Sequence, residues 1–248
     1  MKVLSGIWNL AILGLLMAMG IPAHTQTQTD SYQSVMDIVD PNALNQELTF
    51  RNKYAEFQGD PYLLKIWGIG NVNTNQGKQI QQVDMNVDLY ANEIIVRIDQ
   101  KEYILSPAAL TSATVRVESG DELEIQRYRL PGQEGEKIVE ILYHGNIKLI
   151  KWEEVEVRKM ENNAGGYGGS SSTAKEIQKF FRSTHYFLAR SDSELPIAFD
   201  PGKQKEVIAV MNDQEAQIKT YIKQEKLKLK KDEELVQLIQ YYDTLTHQ

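Results

Sequence analysis

Asp84, Asn86 and Asp88 stand two residues apart, the spacing with which a calcium loop opens. Such a loop also needs glycine at its sixth position and glutamate at its twelfth, and here those places hold Leu89 and Ile95. Val83, Met85, Val87 and Leu89 interleave the polar residues without exception. That is the pattern of a strand with one apolar and one wet face. Same-face neighbours on a strand lie about 6.6 Å apart, too far to converge on an ion held at about 2.4 Å. The three residues read as the wet face of a strand rather than as metal ligands.

The remaining reactive types are scattered. His24, His144, His185 and His247 have no partner at ligand or relay spacing, and only His185, beside Tyr186 and Phe187, reads as half-buried packing. Ser170 to Ser172 lie in a Gly/Ser-rich run without a nucleophile elbow. Glu153 and Glu154 are adjacent, so on a strand they point to opposite faces and cannot flank a glycosidic bond. Asp192 and Glu194 read as surface charge. Lys226, Lys228, Lys230 and Lys231 alternate with Leu227 and Leu229, an extended link next to the acidic run Asp232–Glu234. Trp67, Trp152 and the 12 tyrosines suit either a groove for carbohydrate or peptide or, more commonly, buried rings with one polar tip. No catalytic, cofactor-binding or metal-ligating residue is assigned.

The elements that carry these residues follow from periodicity. Between Pro61 and Met160, apolar alternation is punctuated by Asn75-Gln76-Gly77, Ala91-Asn92, Ser106-Pro107, Ser119-Gly120-Asp121, Pro131-Gly132 and His144-Gly145-Asn146. About 7–8 strands with turn chemistry between them predict an antiparallel meander closing into a sandwich or partly open barrel. Asn162 to Thr173 reads as a flexible loop. Beyond it, Thr173-Ala-Lys-Glu176 has capping-box spacing and predicts a short helix carrying Ile177, Phe180 and Phe181. Thr184–Ala189 and Leu195–Phe199 predict a strand pair. Asp200-Pro201, Asn212 with Glu215, and Asp232-Glu233-Glu234 predict the starts of about three amphipathic helices. The last carries Leu235, Leu238, Ile239 and Tyr242 as its stripe. The expected fold class is α+β: an antiparallel β domain over 61–160, a loop over 161–173, then a strand pair and helices over 174–248.

The start of the chain gives an address. Met1-Lys2 precedes an apolar run from Val3 to Ala23 containing Gly14, Gly20 and Pro22, and a polar stretch from His24 to Asp30 follows. This is the layout of a secretory leader cleaved after Ala23, leaving 24–60 as a mostly polar segment. A retained anchor is the rival reading, since about 20 apolar residues can span a bilayer. No second run approaches that length, so no transmembrane segment is expected in the mature chain. The 248 residues contain no cysteine, which rules out a lipidated N-terminal cysteine and any disulfide. Losing Lys2 with the leader leaves a net charge of −8, which argues against nucleic acid as a partner.

Four stretches carry a resemblance: Gly59-Asp-Pro-Tyr-Leu-Leu-Lys-Ile-Trp67 before Gly70-Asn-Val72, Val87-Asp-Leu-Tyr-Ala-Asn-Glu93, Leu142-Tyr-His-Gly-Asn-Ile-Lys-Leu149, and Thr220–Leu229 leading into Leu235–Tyr242. Together they resemble a family of exported, functionally uncharacterised proteins of Gram-negative envelopes, which shows Tyr where this chain has Val87. The resemblance implies export and strands followed by helices, and brings no site residues. The expected function is a non-enzymatic binding or structural module of the cell envelope, periplasmic, outer-membrane-associated or extracellular. Its partner would be an envelope protein or polymer. The alternatives are an envelope hydrolase acting on a cell-wall or glycan substrate and a small barrel binding an apolar ligand.

Overall fold

Alternation in the sequence becomes pairing in space. The computed structural model describes residues 36–39, 53–161, 176–191 and 193–246. The leader over 1–23, the stretch from His24 to Asp30, the loop over 162–173, Asp192 and His247 lie outside these residues.

The strands are β1 (Phe57–Gln58), β2 (Gly68–Thr74), β3 (Gln79–Asp88), β4 (Glu93–Ile98), β5 (Lys101–Ile104), β6 (Leu110–Arg116), β7 (Glu122–Arg129), β8 (Glu136–His144), β9 (Ile147–Glu161), β10 (Glu176–Arg190) and β11 (Ile197–Phe199). They form one open sheet in the order β1-β10-β9-β8-β7-β6-β2-β3-β4-β5, with β11 also on β10. Strands β2 to β5 and β6 to β10 are two meanders, joined where β2 pairs antiparallel with β6. Among the described residues only β1, on β10, is parallel. The expected strand train and the expected strand pair, β10 with β11, are both present.

The sheet curls over its own side chains. Val72, Met85, Val87, Val96 and Ala113 are fully buried in one cluster that also takes in Ile125 and Ile138 from β7 and β8. Gly68 permits the close approach in β2: a Cβ there would overlap Val115 and sit 2.7 Å from the Arg116 carbonyl oxygen. Further along the same face, Leu149 and Leu188 pack under helices α1 (Gln204–Ala209), α2 (Glu215–Gln224) and α3 (Asp232–Leu245). The α3 stripe of Leu235, Leu238, Ile239 and Tyr242 is buried there, as its i, i+3, i+4, i+7 spacing requires.

Two expectations are corrected. The segment expected to open a helix at Thr173–Glu176 is instead, from Glu176 on, strand β10, whose 15 residues pair in unbroken register with β9. Ile177, Phe180 and Phe181 imitate helical spacing, but every residue from Glu176 to Arg190 has a partner in the ladder to β9. Helices α1 and α2 also begin later than their expected caps. Asp200 makes a turn instead, its Oδ1 accepting from the Gly202 N–H at 2.8 Å. Asn212–Gln214 is a 3₁₀ turn before α2, and neither helix has a side-chain cap.

Candidate functional site

The wet face expected of β3 is wet only at Asp84. Asn86 is 6% exposed and Asp88 is fully buried. The chain from Lys53 to Trp67 passes over this face as a strap and uses both residues to fasten itself. Asn86 acts as a strand fragment: its Nδ2 donates to the Leu64 carbonyl at 2.9 Å, and its Oδ1 accepts from the Leu64 N–H at 3.1 Å. Beside it, the Leu63 N–H donates to Val87 O and the Leu89 N–H donates to Pro61 O. Asp88 Oδ2 accepts from the Tyr54 hydroxyl at 2.7 Å and from Lys53 Nζ at 3.3 Å, and Oδ1 accepts from the Ala91 N–H at 2.8 Å. Lys53 also reaches Glu93. Burial, with the Asp88 hydrogen bond second, raises the Tyr54 hydroxyl's pKa, and burial followed by the Asp88 charge pushes Tyr62 up to about 12. Both phenols stay protonated near neutrality.

The same end of the strap is also aromatic. Phe57 stacks on Phe180 with centroids 5.0 Å apart, while Tyr54 and Tyr90 meet Phe180 edge-on at 5.2 and 5.3 Å. Arg182 Nη2 donates to the Tyr62 carbonyl at 2.5 Å and Nη1 to Glu153 at 2.8 Å. The strap therefore ties β10 to β3, which are not neighbours in the sheet.

Between the two buried clusters lies a charged belt. Lys151 Nζ sits 3.3 Å from Glu140 and 2.8 Å from Asp232, the first residue of α3, and the Tyr186 hydroxyl donates to Asp232 at 2.7 Å. Burial raises the Glu140 pKa, partly offset by Lys151. Burial alone would lower the Lys151 pKa, but Asp232 and Glu140 overcome it and leave it raised. A cavity of about 10 Å³ lies against Glu140, Lys151, Glu153, Leu63 and Leu89, room for about one water molecule and for no organic ligand.

The nearest approach to a nucleophilic relay is Ser183, His185 and Glu154. His185 tilts against Trp152 with centroids 5.1 Å apart, the packing role its neighbours suggested. Its Nε2 lies 3.2 Å from Ser183 Oγ and 3.1 Å from Glu154 Oε2. A relay needs the base on one ring nitrogen and the orienting acid on the other. Here both contacts fall on the same nitrogen, so proton transfer from Ser183 cannot be supported by Glu154 through the ring.

Other expected residues are dispersed. Glu153 and Glu154 do point to opposite faces, toward Arg182 and His185. His144 reaches Glu124 at 3.3 Å. Lys226, Lys228, Lys230 and Lys231 are exposed, and Leu229 between them is buried. The Trp67 ring carries the Arg97 guanidinium at 4.6 Å. Sequence reasoning missed Lys53, Tyr54, Glu140 and Lys151, and no local signal marked them: β8 and β9 each carry several other charged residues.

In comparisons with known proteins, no family model matched the chain, and no curated protein or solved structure matched it.

Proposed function

We propose that this chain is an exported, non-enzymatic binding or structural module of the cell envelope. The observation that carries the reading is the use made of its polar interior: Asn86 and Asp88 fasten the strap, and Lys151 joins the sheet to α3. Groups held this way are committed to the fold, and the surface they support is the long strand pair of β9 with β10, edged by β1 and carrying Phe181 between Arg158 and Lys179. Among the described residues no helix is long and apolar enough to cross a membrane. The filled interior of the curled sheet favours a partner on the outside over an enclosed apolar ligand.

The test expresses the full chain in a Gram-negative host. The product should leave the cytoplasm with an N-terminus at His24. Pull-down from envelope fractions should retain a specific protein or polymer, and the Phe181→Ser variant should lose it. Retention in the inner membrane with Met1 intact, or release of sugar fragments from purified cell wall, overturns the reading.

A further inference from the structure

Strands β8 and β9 part company half-way. Among the described residues they pair only from Glu140/Lys151 to His144/Lys148. Before that point the β8 backbone is taken by the β3–β4 turn: the Ile138 N–H donates to Asn92 Oδ1 at 2.8 Å, and Asn92 Nδ2 donates to the Glu136 carbonyl at 2.9 Å. Strand β9 continues past the fork to Glu161, paired on one side with β10 and, among the described residues, with no strand on the other. The other outer strands are short: β1, β5 and β11 have 2, 4 and 3 residues. The free side of β9 has no proline, glycine or bulge to blunt it. A long regular edge of this kind is a template for pairing with another chain.

The sequence along that edge selects its partner. Val155-Glu-Val-Arg-Lys159 places an acid and a base symmetrically about Val157. We infer that the β9 edge is the interface of a twofold homodimer, with Val155–Lys159 of each copy pairing antiparallel about an axis through Val157. That register sets Glu156 of each copy opposite Arg158 of the other, Val157 opposite itself, and Val155, whose side chain is already buried in its own chain, opposite Lys159 through the backbone. Opposite charges facing each other across strands are favourable and like charges unfavourable. Centring the axis on Arg158 or Lys159 sets a cation against its own copy, so the charges choose one register. The interface is isologous, as a closed dimer requires, and spans about 17 Å of strand. The groups are accessible: the Glu156 and Arg158 side chains are 49% and 60% exposed, and they now bond each other within one chain.

The test is sedimentation of the purified mature chain over a wide concentration range. Wild type should show a reversible dimer. Arg158→Glu and Glu156→Arg should each weaken it about tenfold or more, since two attractive pairs become repulsive. Both sites are exposed, and an unchanged circular dichroism spectrum checks that each variant folds. Mixing the two single variants should restore dimers between unlike chains, and the double variant carrying both changes should dimerise again. A wild type that stays monomeric, a dimer indifferent to Arg158→Glu, or a mixture that fails to recover overturns the proposal.

Discussion

Asp88 shows what the polar residues of this chain are for. Its carboxylate is fully buried and accepts from an ammonium and a hydroxyl of the strap and from a backbone N–H of the β3–β4 turn. Removing it leaves the part-buried Tyr54 hydroxyl and Ala91 N–H without their acceptor and Lys53 without its buried counter-charge. Asp88→Ala should cost about 3 kcal/mol, and Asp88→Asn, which keeps an acceptor, roughly half of that. Urea unfolding midpoints check this; a loss from Asp88→Ala of less than about 0.5 kcal/mol would mean that the strap contributes little to the fold. The alternation Val83 to Leu89 made the strand legible in the sequence. The burial of Asn86 and Asp88 was not legible, because the covering strap lies over twenty residues upstream of Asn86, and nothing local marks the outer face of β3 as covered.

At the scale of elements, most of what was readable came from turns and alternation. Asn75-Gln-Gly77 and Ala91-Asn92 delimit β2, β3 and β4 within a residue or two. β10 was misread at its start because Ile177, Phe180 and Phe181 fit one helical face, and only the long-range ladder to β9 decides against it. The charged belt holds α3 to the sheet and has a pH signature. Burial places the folded-state pKa of Glu140 above its ordinary 4.5, so the folded protein holds this proton more tightly than the unfolded chain does. The Glu140 contribution to stability is therefore most favourable at low pH and is lost as pH rises through the raised value. Glu140→Gln should flatten the stability profile between 4.5 and neutrality, with the largest gain over wild type at the upper end. Denaturant midpoints across that range measure it; parallel profiles for the two proteins would show that Glu140 does not titrate differently on folding.

As a whole molecule, the chain is one sheet used on both faces. The curled half encloses its own side chains, the other half carries helices, and the strap and charged belt join the two. On the face opposite the helices, Val139, Ile141, Ile150, Trp152 and Phe187 form a further buried cluster. The fold class followed from the order of strands and helices along the chain. The joining of the meanders at β2 and β6, and the crossing of the strap from β10 to β3, did not, because both depend on pairings remote in sequence. Nor did the fork between β8 and β9, which rests on Asn92 standing in for a strand.

The strap is a permanent part of the structure rather than a cover that lifts to expose reactive groups. Native-state amide hydrogen exchange at Leu63, Leu64 and Leu89 tests this most directly, since their N–H groups close the strap onto Asn86, Val87 and Pro61. These amides should exchange only as fast as global unfolding allows, matching the slowest amides of β3. Exchange through a local opening, many-fold faster than the β3 core and insensitive to low denaturant, would contradict it.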